Sequence, residues 1–165
     1  MITLKNILVA VDFSEPSDNA LAYGRELART FGGTLHVLHA VGSVVAATLG
    51  MDSYTADLVS LQHELEQSAR RQLDALVGDE DRRLLSAKTV IQTSSSAAAA
   101  IVDYAKDARI DLIVLGTHGR GGMTHLLMGS VAERVVRTAP CPVLTVRTPE
   151  HEFVLPDALE ALVRA

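Results

Sequence analysis

Short apolar segments alternate along this chain with segments of helical periodicity, and that alternation restricts the fold more than any other feature. The apolar segments are residues 7–11, 34–40, 84–92, 110–115 and 142–146. The first, Ile7-Leu8-Val9-Ala10-Val11, is rich in branched side chains and lacks polar residues at alternate positions, which is typical of a strand buried on both faces. Strands that alternate with helices form a parallel sheet covered by helices on both faces. We therefore predict an α/β fold with an open, five-stranded parallel sheet of Rossmann-like type.

Local signals place four helices between these strands. Ser14 can cap the first helix, which has Pro16 in its first turn and ends at Gly32-Gly33. The others are predicted at residues 58–76, 98–105 and 130–138. Apolar residues make up 48% of the chain and charged residues 21%, so the chain can fill a core and is not predicted to be disordered.

Charge and hydropathy argue against two classes of partner. The formal net charge is −5 and no run of Lys and Arg occurs, so we expect no nucleic-acid partner. The longest apolar stretch, Val41 to Met51, is too short to span a bilayer and contains glycine, so we expect no membrane partner. Residues 1–6 lack the pattern of a signal peptide, and Cys141 is the only cysteine. These features favour a cytoplasmic protein with a buried, unreactive thiol.

A glycine-rich segment follows the fourth predicted strand. Gly116-Thr117-His118-Gly119-Arg120-Gly121-Gly122 comes directly after Leu115, and Gly129-Ser130 opens the next predicted helix. Glycines let backbone N–H groups approach an anion closely, and a helix start adds unpaired N–H groups and a positive dipole end. The alternative is a flexible turn, with Ser130 and Glu133 forming only a capping box. The number and position of the glycines favour a phosphate site.

Two common phosphate-binding motifs do not fit this segment. A Walker loop requires Lys between glycine and Ser/Thr, and Gly129-Ser130 has none. A dinucleotide fingerprint follows the first strand, where Val11-Asp12-Phe13-Ser14 contains no glycine. The six histidines form no cluster with Cys or carboxylates, so we predict no metal site and interpret them as surface or strand-end residues.

The spacing of the glycines resembles the ATP-binding signature of the universal stress protein family. Gly116, two residues, Gly119, nine residues and Gly129-Ser130 reproduce that signature without a gap. Asp111-Leu112-Ile113-Val114 before it, Cys141-Pro142-Val143-Leu144 after it, and the opening Ile7 to Ser14 are also similar to the family. The resemblance covers about residues 4–147, so we expect a nucleotide-binding domain at 1–147 and an extension at 148–165 that forms a short helix or frays.

The resemblance implies a strand order of 3-2-1-4-5 and a homodimer paired through strand 143–146. It also implies an adenine-nucleotide site in which side chains and backbone groups from four parts of the chain surround the ligand. The residues that match these positions are Ala10, Val11, Asp12, Ala40, Leu115, Gly116, Gly119, Arg120, Gly129, Ser130 and Val131. Several have a structural alternative: Asp12 can cap the turn before the first helix, Arg120 can be a solvated loop residue, and the apolar members can belong to the core.

The expected function is that of an ATP-binding regulatory protein in stress adaptation, acting as a dimer with an unidentified protein partner. ATP is expected with Mg²⁺, and AMP or another adenine nucleotide is the alternative ligand. No catalytic residues are predicted, because the sequence offers no evident general base near the phosphates. A slow ATPase or phosphotransferase and a nucleotide-independent interaction protein remain alternatives. Residues 41–51 are expected to form an apolar lid, a dimer contact or a buried loop.

Overall fold

A parallel sheet of five strands forms the centre of the part of the chain that the computed structural model describes, which is residues 1–44, 55–117 and 128–147. The strand order is β3-β2-β1-β4-β5, as the resemblance implied. The predicted α/β class is therefore confirmed. The strands are β1 Asn6–Ala10, β2 Thr34–Gly42, β3 Lys88–Ser94, β4 Leu112–Gly116 and β5 Val143–Val146.

Helices cover both faces of this sheet. They are α1 Glu15–Phe31, α2 Thr55–Leu76, α3 Asp79–Leu84, α4 Ala97–Asp107 and α5 Ser130–Thr138. Helices α1 and α2 pack on one face, and α4 and α5 pack on the other. Ile7, Leu8 and Val9 are fully buried in consecutive positions of β1, so both faces of this strand lie in the core, as its sequence predicts. No helix among the described residues is long and apolar enough to cross a bilayer.

Helix α3 is the main departure from the predicted elements. Sequence reasoning assigned a strand from Leu84, whereas the chain forms a short helix up to that residue and β3 begins only at Lys88. The Arg25 guanidinium of α1 forms a bidentate ion pair with Asp81 of α3, with N–O distances of 2.8 to 3.1 Å, and donates to the Leu76 carbonyl at 2.8 Å. This contact joins residues 56 positions apart, so no local pattern could reveal it.

The order of the strands creates one crevice at the carboxyl edge of the sheet. The chain passes outward from β1 to β2 and β3, then returns to place β4 on the other side of β1. Ala10, the last residue of β1, lies opposite Leu115 of β4. The connections after β1 and β4 therefore diverge to opposite faces, and such a reversal of strand order is where open α/β sheets bind ligands.

Candidate functional site

The two ends of the glycine-rich segment meet at this crevice. The Gly129 amide donates to the Thr117 carbonyl at 2.7 Å, and the Thr117 amide donates to the Val146 carbonyl at 2.8 Å. Thr117 is buried, so the junction is part of the protein interior. These bonds hold the start of α5 beside the carboxyl ends of β4 and β5. The predicted residues Gly119 and Arg120 lie outside the described residues.

Helix α5 directs its amino end toward this edge of the sheet. Gly129 is its N-cap, with extended backbone angles, and the Glu133 amide donates to the Gly129 carbonyl at 2.9 Å. The amides of Ser130, Val131 and Ala132 precede the first intrahelical hydrogen bond, so the helix itself leaves them without an acceptor. No side chain among the described residues caps them. Three N–H groups and the positive end of the helix dipole together can bind an anion.

Ser130 does not have the capping role that the sequence offered as an alternative. It is the first residue of the helix rather than its N-cap, and its side chain is exposed. The Glu133 carboxylate forms an ion pair with Arg137 at 2.8 Å instead of returning to the N-cap. The capping-box interpretation is therefore wrong, because the chain enters the helix one residue earlier than that motif requires.

Asp12 lies at the end of β1, in the turn that leads into α1. Its Oδ1 accepts hydrogen bonds from the Ser14 amide at 3.2 Å and from the Ser14 hydroxyl. Asp12 therefore caps the turn before α1, which is the structural role that the sequence analysis gave as an alternative. A carboxylate has about four acceptor positions, so it can accept hydrogen bonds from several groups at once. Asp12 is half-buried.

Three of the predicted pocket residues share one face of the sheet, and a fourth lies on the other face. Ala10 and Ala40 are half-buried at the margin of the cluster beneath α4 and α5, to which the buried Leu115 also belongs. Val11 packs into the opposite cluster. Its amide donates to the Leu38 carbonyl at 2.9 Å, and its carbonyl accepts from a His39 ring nitrogen at 2.8 Å.

Comparison with known proteins shows which family this chain belongs to. The family model described as "Universal stress protein family" matches residues 3–147. The chain belongs to this family. A universal stress protein from Thermus aquaticus is 35% identical over 145 residues, covering 87% of this chain and 98% of that protein.

Solved structures of universal stress proteins show the same fold. The UspA protein from Lactobacillus plantarum is 26% identical, with a TM-score of 0.69 over 89% of this chain and 100% of that chain. A universal stress protein from Archaeoglobus fulgidus, solved in complex with dAMP, is 23% identical, with a TM-score of 0.58 over 88% of this chain and 99% of that chain. At that lower identity the likeness concerns the fold.

Gly116 has a packing role that sequence reasoning missed. A Cβ atom at this position would lie 2.9 Å from the Pro16 carbonyl oxygen and 3.0 Å from the Pro16 Cβ atom. The end of β4 therefore passes against the first turn of α1, and a side chain there would collide with backbone. The sequence analysis assigned Gly116 to the nucleotide site, and the contact with α1 is a second, structural reason for glycine at this position.

His36 is buried, so its interpretation as a surface or strand-end residue is wrong. Its Nδ1 lies 2.8 Å from the Tyr104 hydroxyl of α4. Burial, and secondarily the charge of Lys88, lowers the pKa of His36 to about 4. Its Nε2 is buried without a hydrogen-bond partner in the part of the chain that the structure describes. Among those residues no group of three His, Cys, Asp or Glu side chains is arranged to hold a metal ion.

Phe13 and His39 also border the crevice, and no signal in the sequence indicated that they meet. Their ring centroids are 4.4 Å apart with an interplanar angle of 37°.

Cys141 is half-buried, and burial raises the pKa of its thiol, which makes it a poor nucleophile.

Proposed function

We propose that this protein binds an adenine nucleotide, ATP in the first place, in the crevice between β1 and β4. The observation that carries the proposal is the Gly129–Thr117 hydrogen bond, which holds the amides at the start of α5 beside the strand ends. The glycine spacing of the family signature and the dAMP complex of the Archaeoglobus fulgidus protein support the same ligand chemistry. Mg²⁺ carried by the nucleotide would offset the charge of its phosphates.

The energetics require several groups to act together. A helix dipole contributes about 0.3–1 kcal/mol to an exposed anion, and each hydrogen bond to a charged group about 1.5–3 kcal/mol. Micromolar affinity corresponds to about 8 kcal/mol after the costs of association. Three amides of α5 can supply most of the binding free energy that comes from the phosphates. Asp12 on the ribose hydroxyls and the surface of Ala10 and Ala40 under the base would supply the rest.

Removal of a single amide tests this assignment. Proline is well tolerated at the first position of a helix, and Gly129 already has the extended conformation that a residue before proline adopts. Ser130→Pro therefore deletes one phosphate-facing N–H group with little cost to α5, whereas the matched Ser130→Ala keeps that group and removes only the hydroxyl. We expect Ser130→Pro to weaken ATP binding by about ten- to a hundredfold in equilibrium dialysis.

Two results would contradict the proposal. One is the absence of ATP, AMP and cyclic AMP binding by the wild-type protein at millimolar ligand. The other is equal ATP affinity in Ser130→Pro and Ser130→Ala when both variants retain the wild-type circular dichroism spectrum. Mass spectrometry of nucleotide that copurifies with the protein would identify which adenine nucleotide it carries.

We propose that the bound nucleotide undergoes little or no hydrolysis. The sequence offers no evident general base near the phosphates, and Asp12 is assigned to the ribose half of the site. A phosphate-release assay over several hours should therefore give a flat trace. Sustained release by the wild-type protein that is lost in Ser130→Pro would instead favour the slow ATPase or phosphotransferase.

We also propose a cytoplasmic homodimer that pairs through β5 and presents the nucleotide state to a protein partner. β5 lies at the edge of the sheet, and the carbonyls of Pro142 and Val146 accept hydrogen bonds from the amides of Ile113 and Thr117. The intervening residues Val143 and Thr145 therefore direct their backbone groups outward. Thr145→Pro removes one outward N–H group, and we expect it to shift the protein from dimer toward monomer in sedimentation equilibrium. An unchanged dimer would contradict pairing through this edge.

A further inference from the structure

Phe13 has a backbone conformation that is costly for a bulky residue. Its φ angle is +63°, in the left-handed region, which costs about 1–2 kcal/mol for an ordinary L-residue. Ser86 and Arg109 are the other non-glycine residues with positive φ in the described part of the chain. Both are exposed and precede β3 and β4, at the amino edge of the sheet. Of these residues only Phe13 lies at the carboxyl edge, where the proposed ligand binds.

The strained conformation is held by contacts to one side chain of β2. The Phe13 ring packs against the imidazole of His39 at 4.4 Å and against the core cluster beneath α1. The same imidazole hydrogen-bonds the Val11 carbonyl through Nδ1 at 2.8 Å. Because a carbonyl can only accept, Nδ1 carries a proton. His39 therefore holds both residues that flank Asp12, one through its carbonyl and the other through its ring.

This arrangement determines where the Asp12 carboxylate points. His39 holds Val11 and Phe13, and the Oδ1 of Asp12 between them accepts hydrogen bonds from the amide and hydroxyl of Ser14. The contacts of His39 with Val11 and Phe13 thus hold the backbone before and after Asp12, and this fixes the position of its carboxylate. Strained residues persist where surrounding contacts over-determine them, and they concentrate at functional sites.

We propose that Phe13 and His39 are positioning residues that orient Asp12 toward the ribose, and that they thereby set the preference of the site for ribonucleotides over nucleotides lacking the sugar hydroxyls. This inference rests on the proposed function, since it concerns the sugar half of the same site. Among the described residues, the backbone hydrogen bonds that hold the start of α5 join Thr117, Gly129 and Val146. The pair should therefore affect recognition of the sugar and leave phosphate binding unchanged.

Three probes separate these contributions in the full-length protein. ATP has both sugar hydroxyls, 2′,3′-dideoxy-ATP has neither, and tripolyphosphate has no nucleoside. Wild-type protein should bind ATP on the order of tenfold or more tightly than dideoxy-ATP, because hydrogen bonds to the Asp12 carboxylate are lost. Failure of the wild-type protein to bind any nucleotide would overturn the proposed function itself. Equal binding of ATP and dideoxy-ATP would overturn only the inference about the sugar.

The variants test whether the pair positions Asp12. Phe13→Gly keeps a residue suited to positive φ but removes the ring, and His39→Gln removes the ring but keeps an N–H donor. Both should reduce the ratio of ATP to dideoxy-ATP affinity to about that of Asp12→Asn, with tripolyphosphate affinity unchanged. Phe13→Tyr retains the ring and should retain the wild-type ratio. His63→Gln, on the exposed face of α2, is the matched control for His39→Gln.

Two outcomes would overturn the inference. The first is a wild-type ratio in both Phe13→Gly and His39→Gln. The second is an equal loss of affinity for all three probes, which would mean that these residues support the fold in general. Far-ultraviolet circular dichroism and thermal unfolding identify a variant that has lost its fold, and in that case Phe13→Asn replaces Phe13→Gly, since asparagine also tolerates positive φ.

Discussion

The buried His36 should make the stability of this protein depend on pH in a way that one substitution removes. In the unfolded chain the pKa of histidine is about 6.5, and in the folded protein burial, with a smaller contribution from Lys88, lowers the pKa of His36 to about 4. Each pKa unit corresponds to about 1.36 kcal/mol, so the difference amounts to about 3 kcal/mol. That is a large part of the total stability of an ordinary domain.

The direction of the effect follows from proton linkage. Below pH 6.5 the unfolded chain binds a proton at His36 that the folded protein does not, so the free energy of unfolding falls as the pH falls. The loss from this residue ends near pH 4, where the folded protein also binds the proton. Above about pH 7.5 the residue is neutral in both states and contributes no pH dependence.

Urea denaturation of ligand-free protein between pH 8 and pH 4 measures this contribution. Other groups titrate in the same range, so the useful quantity is the difference in unfolding free energy between wild type and His36→Leu at each pH. We expect this difference to change by about 3 kcal/mol in favour of His36→Leu on going from pH 8 to pH 4. Nucleotide must be absent, because a ligand that binds only the folded state adds its own stabilisation.

A matched control and a direct titration make the result decisive. His63→Leu changes a histidine on the exposed face of α2, so its unfolding free energy should run parallel to that of the wild type. Parallel curves for His36→Leu and wild type from pH 8 to pH 4 would refute the reasoning. So would an imidazole proton resonance of His36 that titrates near pH 6.5 in the folded protein.

Two further predictions concern stability. Gly116→Ala should lower the free energy of unfolding by about 1–3 kcal/mol in urea, because the added Cβ atom would overlap the carbonyl of Pro16. In the control Gly42→Ala the added Cβ atom would meet no atom within 4 Å, so this variant should behave like the wild type. Equal losses in the two variants would show that the end of β4 can shift to make room. Ser96→Ala should lower the free energy of unfolding by about 1 kcal/mol, because the Ser96 hydroxyl caps α4 by accepting from the Ala99 amide at 3.3 Å. The control Ser95→Ala should lower it much less. Equal shifts of the thermal unfolding temperature in the two variants would contradict the cap.

Much of the fold could be predicted because its signals are local. The buried, branched sequence of β1 identifies a central strand, and the glycines after α1 mark its end. Helix α5 has the predicted bounds, Ser130–Thr138, because the chain leaves an extended glycine and ends before a proline. Predicted strand ends differ from the observed ones by a few residues, since strand length depends on the neighbouring strand.

The details of the site could not be predicted, because they depend on contacts between distant segments. His36 shares a sheet face with Leu38 in any reading of the sequence, but its burial requires Tyr104, which lies 68 residues later. The contact of Gly116 with Pro16 joins residues that are even farther apart in the sequence. The left-handed conformation of Phe13 has no local signal, since its cost is offset by a ring on another strand.

By itself, the sequence determined the α/β class, the family signature and the position of the glycine-rich segment along the chain. These follow from periodicity and spacing, which short-range physical chemistry imposes on neighbouring residues. Only the tertiary structure decided that Thr117 and Gly129 bond to each other, that α5 begins after Gly129, and that His39 holds the residues on either side of Asp12. Such contacts form only when strands distant in sequence become neighbours in the sheet, and the order of the strands determines which residues meet.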